Sequence, residues 1–211
     1  MSIATNQENP LTPNKRIKAH YLLGCVYRDL GNTEKQMDCL LEAIDIFETS
    51  QDTSTYSTMY KIYGQKADIE YRNMLSDEML RSLNKGIYYA YKAKDTIDAL
   101  RIGCHKCYAY YIREEIDSAI ASNNYFAKEF YRHGYTKEAA MTIGANMYGF
   151  LETGDYKGLK QAIDLYEQLS GNVVDGNTMP GNEIFYYFKG EYMLWKNCLD
   201  SAKYYFYKEQ Y

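Results

Sequence analysis

Proline is scarce in this chain of 211 residues, which contains only Pro10, Pro13 and Pro180. Because proline lacks a backbone donor and ends or kinks a helix, the long stretch between Pro13 and Pro180 permits uninterrupted helix formation. A mostly helical chain is therefore expected.

Long apolar runs and an excess of basic charge are also missing. No segment approaches the roughly 18–20 apolar residues that span a bilayer, and the opening MSIATNQENPLTPNK lacks the apolar centre of a secretory signal. This favours the cytoplasm, with the periplasm as the alternative if a leader or anchor has been removed. The net charge of -4, from 24 Lys and Arg against 28 Asp and Glu, predicts that this segment does not bind nucleic acid.

The five cysteines are odd in number and scattered through helical sequence, which argues against a framework of disulfide bonds. The sharpest string, Cys104-His105-Lys106-Cys107, has no preceding strand and no second Cys pair. Neither a redox pair nor a four-ligand zinc site is therefore predicted. Packed, reduced thiols are expected.

Catalytic motifs are lacking too. The glycine-rich stretch from Gly171 to Gly181 has no Gly-Lys-Ser/Thr ending, and its calcium-loop pattern, begun at Asp175, stops at Met179 and Pro180. The adjacent carboxylates at 114–115 are explained by helix capping. We predict no enzyme activity, no metal and no cofactor.

Tyrosine, by contrast, is abundant, with 25 copies against seven Phe and one Trp. A buried Tyr needs a hydrogen-bond partner for its hydroxyl. We therefore expect many of these rings at helix–helix seams, with their hydroxyls reaching water.

The strongest pattern is AHYLLGCVYRDLGN, Ala19 to Asn32, followed by QMDCLLEAIDIF, Gln36 to Phe47. Its signature positions are Leu23, Gly24, Tyr27, Gly31, Leu40 and Ala43. In these positions the segment resembles a tetratricopeptide repeat, a helix–turn–helix unit with a period of about 34 residues. Such units stack on their neighbours because none of them buries its apolar face alone.

The resemblance implies an all-α fold, namely a right-handed α-solenoid of about five helical hairpins that behaves as one continuous domain. Residues 1–11 are predicted to be a flexible lead and residues 12–211 the solenoid. The units are predicted at about 13–50, 56–95, 96–133, 136–169 and 183–211. The end of the chain, AKYYFYKEQY, is a poor polar cap, so we expect a fragment of a longer protein or self-association through the C-terminal helix.

Local signals place several helix ends. Thr12 is a suitable N-cap before Pro13 at the first helical position, and Gly31 suits a left-handed turn. The second helix is predicted from about Glu34 to Thr49. Its buried stripe is predicted to comprise Met37, Leu40, Leu41, Ile44 and Phe47. Loops are predicted at 50–57 and 170–182.

The first unit also departs from the family pattern. Gln36, like Leu159 in the fourth unit, stands where a small Ala is usual, and His20 replaces the usual large aromatic residue. These departures affect the expected helix-packing angles but not the solenoid. The amino-acid sequence of the first unit is also similar to that of bacterial regulators that carry such repeats ahead of a membrane segment and a helix-turn-helix domain.

The resemblance implies that the first helix of each unit lines a concave groove. Carried onto this sequence, the inward positions are Lys18, Tyr21, Arg28, Asp29, Lys61, Asp68, Tyr71, Arg72, Arg101, Tyr108, Tyr111, Tyr148, Glu152, Tyr187 and Glu191. Aromatic residues interleaved with arginine dominate binding energy at protein interfaces. They predict a non-catalytic protein- or peptide-binding module, the sensing or scaffolding part of a bacterial signalling or transcription regulator.

Three further interpretations bear on the groove. A clamp for a terminal carboxylate is not expected, because Tyr21 and Cys25 stand where chaperone-binding members have Lys and Asn. The same tyrosines could instead be seam packing, with the charges forming a solvated face. The third interpretation is small-ligand or carbohydrate binding, with sugar faces stacked on the tyrosine rings.

Overall fold

The computed structural model describes residues 11–209, so the predicted flexible lead lies outside the described residues except for Leu11. Twelve helices and one small hairpin follow in order: α1 Pro13–Asp29, α2 Thr33–Ser50, α3 Tyr56–Arg72, α4 Ser76–Lys92, α5 Thr96–Cys104, α6 Lys106–Ile112, α7 Ile116–Arg132, α8 Thr136–Gly144, α9 Met147–Glu152, α10 Tyr156–Leu169, β1 Val173–Val174, β2 Asn177–Thr178, α11 Ile184–Trp195 and α12 Leu199–Glu209. Among these described residues, none of the helices is long and apolar enough to cross a membrane.

The chain divides into two compact units, an N-terminal unit that ends at Ala109 and a C-terminal unit that begins at Tyr110. In both units, helices that are adjacent in sequence pack as hairpins. The most extensive contacts are those of α1 with α2 and of α3 with α4 in the N-terminal unit, and those of α11 with α12 in the C-terminal unit.

The first helix begins where the sequence predicted, with Pro13 at its first position. The Thr12 side chain, however, makes no capping hydrogen bond there. Side-chain caps are formed elsewhere, for example by Asn32 at α2 and Asp155 at α10. Each accepts a hydrogen bond from a backbone N–H that the helix leaves unpaired.

The core of the N-terminal unit joins α1, α2 and α3 through Ile17, Leu40 and Met59, all of them fully buried. The predicted stripe on α2 is wrong at Leu41, which is 47% exposed. The buried face lies toward Gln36 instead, whose amide donates to Gln65 Oε1 at 3.2 Å. Because Gln65 accepts from the side-chain amide of Gln36, this polar side chain can be buried between the helices at a position where a small Ala is usual.

The core of the C-terminal unit joins α9, α10 and α11 through Met147, Leu159 and Phe185. Gly190 lies at a close contact between α11 and α12: a Cβ added there would lie 2.5 Å from Cε1 of Phe206. Any larger residue would therefore push α12 away from α11 or displace the Phe206 ring.

The first helix is broken in two of the hairpins. In the unit predicted at about 96–133, the first helix is interrupted at His105, whose backbone N–H donates to Ile102 O at 3.2 Å. The second break separates α8 from α9 at Asn146, which is fully buried. Asn146 accepts from Asn123 Nδ2 at 2.8 Å and donates to Asn124 Oδ1 at 3.0 Å. These side-chain bonds hold the break in place.

The predicted loops contain more structure than their composition indicated. A short 3-10 turn, Thr53–Thr55, leads into α3. At residues 170–182, β1 pairs antiparallel with β2, Val173 opposite Thr178. Tyr186 anchors this hairpin, because its hydroxyl accepts from Thr178 N at 2.8 Å and donates to Gly176 O at 3.2 Å.

Candidate functional site

Two tyrosines of the N-terminal unit come together from different hairpins. Tyr71 lies near the end of α3 and Tyr108 lies on α6, and their ring centroids are 5.4 Å apart at an interplanar angle of 48°. Each side chain is 39% exposed. The pair therefore presents aromatic surface to solvent while each ring limits the movement of the other.

Polar groups flank this pair. His105, at the break between α5 and α6, meets the Tyr108 ring edge-on at 5.8 Å. Asp68 and Arg72, one turn apart on α3, form an exposed ion pair of 3.1 Å. We refer to Asp68, Tyr71, Arg72, His105 and Tyr108 as the Tyr71–Tyr108 cluster.

Desolvation shifts the pKa values of two groups in this cluster. It lowers the pKa of His105, an effect that the negative charge of Asp68 opposes only in part. It also raises the pKa of the Tyr108 hydroxyl, followed in size by the influence of Cys107 and Cys104. The imidazole is therefore neutral near pH 7 and offers one donor and one acceptor, next to a protonated hydroxyl and one balanced ion pair.

His105 was considered in the sequence only as part of a redox or metal-binding string. Its spacing of three residues from Tyr108 is the signal that identifies it here, because residues i and i+3 lie on one helical face. Helical spacing from a predicted groove residue is thus a better guide to this cluster than the cysteine motif around it.

Tyr21 is half-buried at the seam between the first two hairpins and packs against the core of the N-terminal unit. Nearby, Gln65 Nε2 donates to Cys25 Sγ at 3.1 Å. Burial raises the pKa of the Tyr21 hydroxyl, with the neighbouring Cys25 as the next cause. Most of the Tyr21 ring is therefore packed in the seam between these hairpins.

Besides Arg72, the predicted basic residues Lys18, Arg28 and Arg101 are exposed in the N-terminal unit. Arg28 pairs with the adjacent Asp29 at 2.9 Å, and Arg101 pairs with Asp98 at 3.2 Å. Exposed pairs of this kind contribute little to stability, so both guanidinium groups can exchange their partners at low cost.

In the C-terminal unit, Tyr111 and Tyr148 also meet, edge to face, with ring centroids 5.7 Å apart. The Tyr111 hydroxyl donates to Ala145 O at 3.4 Å, and the Tyr148 side chain is 52% exposed. A Cβ on Gly149 would lie 3.0 Å from the Tyr111 hydroxyl oxygen. The absence of a side chain at Gly149 is therefore what admits the Tyr111 ring.

The other two predicted residues of the C-terminal unit also lie together. Tyr187 is half-buried, and burial is the main cause that raises the pKa of its hydroxyl. The carboxylates of Glu191, Glu209 and Glu152 add to this effect, and Glu191 accepts a hydrogen bond from the hydroxyl. This part of the unit is acidic, which distinguishes it from the balanced charge of the Tyr71–Tyr108 cluster.

The cysteines are not placed for redox or metal chemistry. Burial raises the pKa of the Cys104 thiol to about 12, so it is protonated at neutral pH and a poor nucleophile. Cys39 and Cys107 are buried as expected, whereas Cys198 is exposed, contrary to the prediction of packed thiols. Within residues 11–209, no group of three His, Cys, Asp or Glu side chains could hold a metal ion.

Solved structures with the same fold are tetratricopeptide-like repeat proteins. A single-residue variant of a putative kinesin light chain from Podosopora anserina, with nearly identical TPR-like repeats, has a TM-score of 0.72 at 9% identity, covering 95% of both chains. A second structure of a putative kinesin light chain from the same organism has a TM-score of 0.65 at 12% identity, covering 94% of this chain and 95% of that chain. BtubC (BKLC) from P. vanneervenii has a TM-score of 0.62 at 10% identity, covering 95% of this chain and 90% of that chain.

No protein-family description matches the sequence, and no curated protein matches it significantly. At these low identities the structural likeness shows the fold alone. It confirms the fold class predicted from the sequence, an all-α solenoid of tetratricopeptide-like helical hairpins.

Proposed function

We propose that this chain, a tetratricopeptide-like helical array, is a non-catalytic module that binds a protein or peptide segment. Its anchor point in the N-terminal unit is the Tyr71–Tyr108 cluster. The observation that carries the proposal is the contact between Tyr71 and Tyr108, two partly exposed rings from the first helices of successive hairpins.

The chemistry of the cluster suits a peptide. Tyrosine supplies a large contact area at a low cost in side-chain entropy, and tyrosine and arginine are enriched among the residues that dominate interface energy. The Asp68–Arg72 pair and the neutral His105 add donors and acceptors for backbone or side-chain groups. An extended or helical segment would lay apolar side chains on the rings and polar groups beside them.

The remaining predicted groove residues are proposed to extend this surface within their own units. In the N-terminal unit these are Lys18, Tyr21, Arg28 and Arg101; in the C-terminal unit they are Tyr111, Tyr148, Tyr187 and Glu191. The wider role, supported by the resemblance of the first repeat, is the sensing or scaffolding part of a bacterial signalling or transcription regulator. Reading the gene beyond both ends tests that role, since a regulator would carry a helix-turn-helix segment in the same frame.

A displayed peptide library tests the binding proposal. Peptides selected on the wild-type chain should bind a Tyr71→Ala/Tyr108→Ala double variant at least about tenfold more weakly. The matched control is Tyr125→Ala/Tyr131→Ala, two rings of α7 that are 58% and 66% exposed. The control should keep wild-type affinity.

Equal binding by all three proteins would refute the proposed anchor. Circular dichroism and thermal unfolding of each variant establish that the fold is retained, which both pairs should satisfy because their side chains are substantially exposed. Selection of no peptide at all by the wild-type chain would also count against a peptide-binding role.

A further inference from the structure

The C-terminal unit contains a cavity of ≈ 470 Å³ that the groove prediction does not include. One wall comes from the β1–β2 region and the start of α11, with Asn177 and Glu183, and the other comes from α12, with Tyr204, Tyr207 and Lys208. Tyr186 lines the space between them. The volume falls within the range of about 300–1,000 Å³ that is usual for small-molecule sites.

Much of the cavity wall is held in place by hydrogen bonds. Lys208 Nζ donates to Asn177 Oδ1 at 2.9 Å and to Gly176 O at 3.2 Å, which ties α12 to the β1–β2 turn. Glu183 Oε1 accepts from Gly181 N at 2.9 Å. Together with the two bonds of the buried Tyr186 hydroxyl, these contacts preorganise the site before any ligand arrives.

Aromatic rings give the cavity its binding surface. Tyr204 and Tyr207 are 54% and 66% exposed, whereas Tyr186 is 5% exposed and forms a fixed floor. The faces of such rings carry partial negative charge, and they attract the weakly positive C–H bonds of a flat apolar face. A pyranose ring presents such a face together with hydroxyls along its edge.

The charge of the lining favours a neutral ligand. Glu183 contributes one negative charge and Lys208 one positive charge, and both are already hydrogen-bonded. The Lys208 ammonium also lies over the rings of Tyr186 and Tyr204, 5.0 and 5.2 Å from their centroids. An organic cation would meet this ammonium and an anion would meet the Glu183 carboxylate, whereas hydroxyl groups can both donate to Glu183 and accept from Lys208.

We propose that this cavity binds a unit of a neutral saccharide, stacked on Tyr207 and Tyr204 and hydrogen-bonded by Glu183, Asn177 and Lys208. The site differs from the Tyr71–Tyr108 cluster in place and in ligand. It therefore stands or falls independently of the proposed peptide binding.

Saturation-transfer difference NMR tests the proposal directly. The neutral probes are glucose, galactose, mannose and N-acetylglucosamine, each also as a linear trisaccharide, together with glucuronate and glucosamine as charged analogues of glucose. At least one neutral probe should receive magnetisation on its ring C–H protons. Its affinity should fall by about tenfold in Tyr207→Ala.

The control variant is Tyr131→Ala, because Tyr131 is also 66% exposed and lies in the same unit. It should leave saccharide binding unchanged, as should Tyr71→Ala/Tyr108→Ala, which separates this site from the peptide anchor. A Lys208→Met variant, which keeps the aliphatic stem, should also weaken binding by removing the ammonium donors.

Three results would overturn the proposal: no transfer to any neutral probe, equal transfer in Tyr207→Ala, or tighter binding of glucuronate or glucosamine than of glucose. A fourth result, loss of library peptides by Tyr207→Ala without saccharide binding, would assign the cavity to protein recognition instead. Because the Tyr207 side chain is exposed, Tyr207→Ala should retain the fold. Thermal unfolding of the variant checks this.

Discussion

Tyr89 illustrates how single tyrosines are used in the N-terminal unit. Its ring stacks between Tyr56 and Tyr63, with centroids 5.6 Å from each, and meets Phe47 edge-on at 5.3 Å. Burial raises the pKa of the Tyr89 hydroxyl to about 12, with the neighbouring Tyr63 as the next cause. This column joins α2, α3 and α4 through aromatic contacts that each contribute beyond simple area burial.

The raised pKa predicts a loss of stability at alkaline pH. The unfolded chain loses the Tyr89 proton near pH 10, whereas the folded chain keeps it until about pH 12. The contribution is therefore fully present below pH 10 and is lost as pH rises toward 12. Urea unfolding at a series of pH values should show that the free energy of unfolding falls less steeply with pH in Tyr89→Phe, which keeps the ring and removes the titrating hydroxyl.

Tyr125→Phe is the control for this measurement, since Tyr125 is 58% exposed. It should follow the wild-type curve. Burial also raises the pKa of Tyr63, so part of the alkaline loss should persist in Tyr89→Phe. Identical slopes for wild type and Tyr89→Phe would show that the hydroxyl of Tyr89 is not protected by the fold.

At the scale of elements, one turn recurs at the ends of the helices. The second residue after the helix takes a left-handed conformation, and the next N–H bonds back to the carbonyl five residues earlier, as Asn32 N does to Tyr27 O at 2.8 Å. Gly31 occupies this position after α1 with φ of 70°, but Met74 occupies it after α3 with φ of 58°. Glycine is therefore a sufficient but not a necessary signal for this turn.

The turn after α3 can be improved. Met74→Gly should stabilise the chain by roughly 0.5–1 kcal/mol. It removes the strain of a left-handed residue that carries a Cβ, and this strain is larger than the entropy cost of introducing glycine. Met74 is 63% exposed, so little packing is lost. Denaturant unfolding measures the change.

Gly31→Ala provides the reciprocal variant. Its Cβ would have no neighbour within 4 Å, so a loss of about 1 kcal/mol would report backbone strain alone. A destabilised Met74→Gly together with a neutral Gly31→Ala would refute the role of backbone conformation in these turns.

At the scale of the whole molecule, two compact units meet within α6 in sequence, between Ala109 and Tyr110. Repeat proteins are stabilised by neighbouring contacts, so a local loss of stability need not spread along the chain. The fully buried Leu40 offers a test, since Leu→Ala at such a site costs about 2–5 kcal/mol.

Native-state hydrogen exchange of Leu40→Ala should show faster exchange throughout α1 to α4, while α10 to α12 keep protection closer to wild type. Leu22→Ala, at a side chain that is 60% exposed on α1, should leave both units unchanged. A uniform acceleration across both units would instead support the single continuous domain that the repeat resemblance predicts.

The candidate site was only partly accessible from sequence. Repeat positions identified Tyr71 and Tyr108, but the contact between their rings depends on how α3 and α6 pack. His105 lies at a helix break that no proline marks in the sequence, and only its spacing of three residues from Tyr108 indicates its place in the cluster. The cavity beside Tyr207 joins a loop to a helix far along the chain, a contact that helical periodicity does not report.

The sequence alone determined the all-α repeat fold, the start of α1 and the glycine turn after it, because these depend on hydrogen bonds and apolar spacing within one or two helical turns. Tertiary structure decided that Gln36 is buried and Leu41 exposed, that α5 and α6 are separate helices, and which tyrosines meet. Those outcomes depend on side chains supplied by other helices, such as Gln65 for Gln36, and no local pattern encodes the rotation of one helix against the next.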